Sequence, residues 1–170
     1  MTSLPLVIMP EKPGDAAAIE KLNERAFGPG RFARTAYRLR EGVPPDLDLS
    51  FVALVSSLLV GANRMTPITC GGTPALLLGP LTVDPAFQSQ GIGLALVNRS
   101  LDAARAAGHR LVILVGDAPY YARMGFTPVP FGQITLPGPV DPARLLYCEL
   151  VDGAFADVRG MVASGATVPA

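Results

Sequence analysis

One stretch limits the fold more than any other: residues 76–126, LLLGPLTVDPAFQSQGIGLALVNRSLDAARAAGHRLVILVGDAPYYARMGF. It opens on an apolar run, residues 76–83, long enough for a strand buried on both faces. Asp84 and Pro85 stop that run. A glycine-bearing turn, residues 88–93, then feeds an amphipathic helix over residues 91–107, which Gly108 ends. A second apolar strand follows at residues 111–115. Strand, turn, helix and strand in this order set several backbone N–H groups at a helix N-terminus, where they have no intrahelical partner. The positive end of the helix dipole adds to their attraction for anions, so the turn suits a phosphate.

Composition narrows the class. A chain of 170 residues is most simply one domain, residues 1–170, with a full core. Its 14 basic and 14 acidic residues cancel, and only 16% of residues are charged. That balance argues against a nucleic-acid partner or an anionic membrane surface. Cys70 and Cys148 are not spaced as a metal pair, and with His109 as the single histidine no metal constellation is expected. The two thiols read as buried and idle rather than as a disulfide. The first residues lack a basic segment followed by an apolar one of signal-peptide length. The longest charge-free run is broken by Pro67, Pro74 and Pro80, so it is no membrane helix. The expectation is a cytoplasmic protein.

Around the central stretch, residues 4–9 read as a first strand and residues 16–27 as a helix capped by Asp15, with Ile19, Leu22 and Ala26 on one face. A second helical stretch, residues 31–41, carries Arg31, Arg34 and Arg38 on one side, either as a solvated face or as cations for an acidic ligand. Residues 49–63 read as two strands joined at Ser56 and Ser57, with residues 65–68 able to extend the second. On the central helix Leu94, Val97, Leu101 and Ala104 share a side, and Arg99 and Asp102 are spaced to pair. Asp117 is placed to cap a short helix over residues 118–124, with Pro119 in its tolerant first turn. Residues 127–140 are proline-rich and irregular, offering cover for a sheet edge or for a second copy in a homodimer. Residues 144–151 form a final strand, and residues 154–162 a short helical tail.

The turn itself excludes two phosphate sites. A dinucleotide fingerprint wants a third glycine where Leu96 stands, and a Walker loop wants a Gly-Lys-Ser/Thr that is absent. What remains is a run of amides from Ser89 to Leu94 able to converge on a pyrophosphate, with Gly91 and Gly93 removing side chains from the approach.

In these residues, Val83-Asp84-Pro85-x-x-Gln88-x-x-Gly91-x-Gly93, the chain resembles motif A of the GNAT superfamily of acetyl-CoA-dependent N-acyltransferases, whose pattern is R/Q-x-x-G-x-G/A. Tyr121 to Phe126, YARMGF, is similar to the family's Y-x-x-x-G-F element, in the same order and at about the usual distance. The resemblance implies an α/β domain with a mixed, mostly antiparallel sheet that splays between its fourth and fifth strands, with helices on both faces. It implies acetyl-CoA in the split. The diphosphate would lie on Gln88, Ser89, Gln90, Gly91, Ile92, Gly93 and Leu94, the pantetheine on Leu81, Thr82 and Val83, and Asp117 would be a further contact. The acceptor would be the amine of a small molecule or peptide, which attacks the thioester directly. Tyr121 would be the acid that protonates the departing thiolate, set against a purely packing role, with Tyr120 one position off the motif. No acid lies within residues 76–83, so Asp84, Asp117 or a water chain stand as bases. An alternative is a module that binds acyl-CoA without transferring the acyl group.

Overall fold

The computed structural model describes residues 5–27 and 35–165. In chain order these form β1 (Leu6–Pro10), α1 (Ala16–Phe27), α2 (Thr35–Arg40), β2 (Phe51–Val55), β3 (Leu58–Cys70) and β4 (Thr73–Val83). There follow α3 (Ile92–Ala106), β5 (Leu111–Val115), α4 (Ala118–Ala122), β6 (Thr127–Pro128), β7 (Ile134–Thr135), β8 (Leu145–Glu149) and β9 (Gly160–Ser164). The main sheet runs β1-β2-β3-β4-β5-β8-β6, and β9 pairs with both β3 and β7. Pairing in that main path is antiparallel except where β4 meets β5.

Strand alternation divides the core between two helical layers. On β2, Phe51, Ala53 and Val55 face α3 through Ile92 and Leu96, while Val52 joins Ile19 of α1. Leu96 and Val97 of α3 are both 0% exposed, each contributing roughly 1.5–3 kcal/mol by leaving water. α3 ends at Gly108, where the amides of Gly108 and His109 close back on the carbonyls of Arg105 and Ala104, a Schellman arrangement. α4 packs against the α3 side of the sheet through Ala118, Tyr120 and Tyr121.

The feature that shapes the molecule lies at the middle of β4. Asn63 of β3 pairs with Leu81, yet Met65 pairs with Leu78, so Gly79 and Pro80 together stand opposite the single residue Arg64. This is a bulge, and a bulge bends the strand that carries it. N-terminal to the bulge, Leu76 and Leu77 lie in register with Val112 and Ile113 of β5. Beyond it the two strands part, and the sheet opens between them as the resemblance implied. Below the bulge, Arg64 donates from Nε and a terminal nitrogen to both carboxylate oxygens of Glu11, at 3.0 and 2.9 Å. The side chain of Glu11 is only 2% exposed and that of Arg64 19%.

Several local expectations give way to tertiary contacts. Residues 154–162 do not form a helix; they turn and enter β9 on the edge of β3. Gln133 Nε2 donates to the carbonyls of Phe155 and Val158, and Glu149 accepts from the Phe155 amide, which removes the bonds a helix needs. Arg99 and Asp102 do not pair: Arg99 lies over the Phe51 ring and reaches the Ile8 carbonyl, and Asp102 binds Arg105. Asp15 is not an N-cap residue but closes a short 3-10 turn, Pro13–Asp15, by accepting from the Lys12 amide. β3 takes in the extension expected at residues 65–68 and runs two residues further, to Cys70. Of the expected second helix, the described part is α2; Arg31 and Arg34 lie outside the described residues. Within residues 127–140, Val129, Ile134 and Leu136 bury against the sheet while Phe131 stays 91% exposed. Both cysteines are free and buried, and burial pushes the Cys70 thiol up to about 11. No helix among the described residues is long and apolar enough to cross a membrane.

The ion pair beneath the bulge gives a stability prediction. Glu11→Ala strands a half-sheltered guanidinium and is expected to cost about 2–3 kcal/mol. In a thermal melt this lowers Tm by roughly 5–10 °C; a shift within error of wild type would show that the pair contributes nothing.

Candidate active site

The turn before α3 is built by the sequence from both ends. The Asp84 carboxylate accepts from the Ala86 amide and holds a 3-10 turn, Pro85–Phe87. Ser89 and Gly91 then take positive φ, 64° and 79°. Gly91 is the residue before the first helical turn, and the left-handed conformation there is what glycine permits without steric cost. The first α3 bond from this turn is Ala95 N–H to the Gly91 carbonyl. Among the described residues no amide from Ser89 to Leu94 donates a backbone hydrogen bond of ordinary geometry. Gln88 to Gly91 are exposed to solvent. Amides without a backbone partner thus stand at the N-terminus of α3, in a turn whose residues before the helix face solvent.

Close packing gives Gly93 a further reason to be glycine. A Cβ built there would lie 2.2 Å from the Tyr120 hydroxyl oxygen and 3.7 Å from a Leu81 methyl. Tyr120 and β4 thus close directly onto the second helical residue. Tyr121 packs the same way on the other side: a Cβ at Gly116 would meet its ring at 2.5 Å. The two rings stand edge to face at 5.0 Å, and Tyr121 contacts Phe126 at 5.9 Å. Burial pushes the Tyr121 phenol above its ordinary range, Tyr120 adding to the shift and Arg144 opposing it. The hydroxyl is held protonated throughout the neutral range.

The opened strand supplies the third part. The Asp84 amide donates to the Val60 carbonyl of β3. By ladder alternation Thr82 also turns its N–H and C=O toward β3, and those of Leu81 and Val83 turn toward the split. Thr82 is 2% exposed, and its hydroxyl donates to Asn23 of α1. The Val83 carbonyl receives a long contact, 3.4 Å, from the Gln88 amide nitrogen. Asp117 caps α4 by accepting from the Tyr120 amide at 3.1 Å.

On the α1 and α2 side the split widens into a cleft of about 880 Å³. Leu81, Asp117, Tyr120 and Tyr121 line it, and residues 88–94 do not. Sequence reasoning missed Glu20, Arg40, Arg64 and Arg144, which also line this cleft; their spacing carries no motif, because each comes from a different element. Asp84 is not at the cleft but pairs with Arg25 at 3.0 Å. Among the described residues no group of His, Cys, Asp or Glu could hold a metal ion.

A bulged central strand parting from its parallel neighbour beside a helix with open amides is the architecture of an acyltransferase domain. A family model described as an acetyltransferase (GNAT) domain matches residues 46–128. The uncharacterized N-acetyltransferase YhbS of Escherichia coli K12 is 29% identical over 160 residues, 92% of this chain and 95% of that protein. A crystal structure of E. coli YhbS with CoA superposes with a TM-score of 0.82 at 27% identity, covering 96% of this chain and 92% of that one. A GNAT family acetyltransferase from Brucella melitensis, solved with acetyl-CoA, gives 0.63 at 31% identity, over 90% of this chain and 99% of that one. The chain belongs to the GNAT superfamily of N-acetyltransferases.

Close packing at Gly93 makes a two-part prediction. Gly93→Ala forces the Tyr120 hydroxyl aside and is expected to destabilise the protein by about 1–3 kcal/mol. Adding Tyr120→Phe, which leaves the new methyl an ordinary contact with the ring, should recover most of that loss in urea unfolding. Additive losses in the double variant would refute the contact.

Proposed function

We propose that the chain transfers the acetyl group of acetyl-CoA to a primary amine by direct attack within a ternary complex. The observation that carries this reading is the run of open amides, Ser89 to Leu94, beside the gap where β4 leaves β5. The diphosphate of the donor binds those amides, with the α3 dipole behind them, and Gln88 braces the turn against Val83. The pantetheine arm lies along Leu81 and Val83, whose main-chain groups lack a strand partner on that side. Thr82 contributes by fixing the strand to α1 rather than by touching the donor. Relatives solved with CoA and with acetyl-CoA support the choice of donor.

The thioester then reaches Tyr121. The amine nitrogen attacks the carbonyl carbon, the carbon–sulfur bond breaks, the sulfur takes a proton from the Tyr121 hydroxyl, and the surplus proton of the new amide nitrogen passes to the phenolate and restores it. Desolvation of the phenol keeps that proton in place until a thiolate develops. Much of the acceleration comes from holding amine and thioester in line. The attacking ammonium must first lose a proton. Asp84 is engaged by Arg25 and the Ala86 amide, so Asp117, on the cleft wall, and the water of the cleft take that proton. The acceptor enters from the α1 and α2 side, as a small molecule or as the end of a peptide.

Two measurements on the full chain test the reading. Acetyl-CoA at a hundred times its Kd should stabilise the fold by about 2.7 kcal/mol. Tyr121→Phe should lower kcat for thiol release by about a hundredfold or more with the Kd for acetyl-CoA unchanged. Equal loss of binding and turnover would remove Tyr121 from the acid role. Tight CoA binding without thiol release from any amine would turn the reading to a binding module.

A further inference from the structure

Helix α1 turns Ile19 and Leu22 inward, and with them a polar residue, Asn23, which is only 4% exposed. A buried carboxamide costs stability unless its donor and acceptor groups are bonded. Half of this one is satisfied: Oδ1 accepts from the Thr82 hydroxyl. Among the described residues Nδ2 donates to no protein group, and it is not sealed off from solvent. Asn23 lines the acceptor cleft, so its N–H groups open into that cleft.

A second donor stands close by. Thr82 is opposite Ala62 in the ladder, and Arg64 follows two residues along β3 on the same face, about 7 Å away. Glu11 takes the Nε and Nη2 hydrogens of Arg64 that face it. Nη1 carries two further N–H groups. Among the described residues these too have no protein acceptor and are not sealed off, and Arg64 lines the same cleft. The two donors flank the bend of β4, Arg64 opposite Gly79 and Pro80 and Asn23 on Thr82. The main chain of Leu81, which faces the split, lies between them.

This pair of donors bears little net charge. Asn23 is neutral, and the buried Glu11 carboxylate offsets the Arg64 guanidinium. A carboxylate brought to Nη1 would meet the repulsion of Glu11 along with the attraction of Arg64. A neutral carbonyl oxygen accepts the same hydrogen bonds without that opposition. A ligand lacking the oxygen would cover both donors and leave them unpaired, which is how a polar site rejects an analogue.

We propose that the acceptor carries a neutral carbonyl beside its amine, as an α-amino amide or the end of a peptide does, and that Asn23 and Arg64 donate to that oxygen while the amine faces the thioester. The assignment rests on the transferase reading of this cleft and adds the class of acceptor to it. Asn23 and Arg64 are specificity-determining residues here.

The test uses the full chain saturated with acetyl-CoA and matched sets of acceptors. For each common side chain these are the α-amino amide, the amine that lacks its carboxamide, and the free amino acid. Transfer is read as thiol release. The best amide is expected to exceed its amine by about tenfold or more in kcat/KM, a gap of about 1.4 kcal/mol, and to exceed the free amino acid as well. A dipeptide amide with the same first residue separates the two sources of the carbonyl: a further rise assigns a peptide end, no rise a small amide, and either supports the proposal. Asn23→Asp keeps an acceptor for the Thr82 hydroxyl while removing the donor, and should raise KM for the amide about tenfold with the Kd for acetyl-CoA held. In the double variant Asn23→Leu, Thr82→Val both partners become apolar groups of similar shape, an exchange nearly neutral for the fold. It is expected to lose the same preference, so the outcome is readable even where Asn23→Asp melts low. Equal use of amide and amine, a free amino acid preferred to its amide, or equal loss on amide and amine in the Asn23 variants would overturn the assignment. Thiol release with no acceptor at all, despite bound acetyl-CoA, would remove the transfer reading and this inference with it.

Discussion

Strand β4 cannot satisfy two neighbours along its whole length, and the site follows from that conflict. Its first half pairs with β3 on one edge and β5 on the other. At Gly79 and Pro80 an extra residue enters opposite Arg64, the strand bends, and only the β3 edge stays bonded. An unpaired strand edge is ordinarily a liability, a row of donors and acceptors open to any extended chain. Here the opening is confined to a few residues and lies between two helical layers. Main-chain groups of Leu81 and Val83 are presented within a cleft rather than at a free edge of the sheet.

The helix α3 completes the arrangement because its N-terminus arrives beside the bend. Gly91 permits the left-handed entry, and Gly93 lets Tyr120 and Leu81 close onto the first turn. The open amides therefore stand next to the open strand, with the Tyr120–Tyr121 pair between them and the cleft beneath α1 and α2. The site has two mouths of different character. One carries backbone donors and exposed turn residues; the other carries side-chain charges of both signs. The first suits a diphosphate whatever the acceptor, while the second varies with the side chains brought to it.

How much of this can be read from the chain depends on the range of the cause. The strand–turn–helix–strand order at residues 76–126 is local, carried by apolar runs, Asp84-Pro85 and Gly108, and it appears as expected. The short helix of Tyr121 and its Asp117 cap are local too. The C-terminal segment was not legible, because β9 exists through pairing with β3 and through Gln133, both far from it in sequence. The same holds for Arg99, whose partners are Phe51 and Ile8 rather than its helical neighbour Asp102. The reason for Gly93 lay in Tyr120, nearly thirty residues on. The charged wall of the acceptor cleft was invisible as a pattern, since Glu20, Arg40 and Arg144 come together only once α1, α2 and the β8 approach are folded against the split.

The central claim is that open main-chain groups at the β4 bend and the α3 N-terminus form one continuous surface for a coenzyme A molecule. A titration of the ¹⁵N-labelled protein with CoA, followed by backbone amide resonances, tests it most directly. The amides of Ser89 to Leu94, together with those of Leu81 and Val83, are expected to shift in a single saturable step and to gain protection from exchange. Saturable binding that leaves those resonances in place would contradict the account.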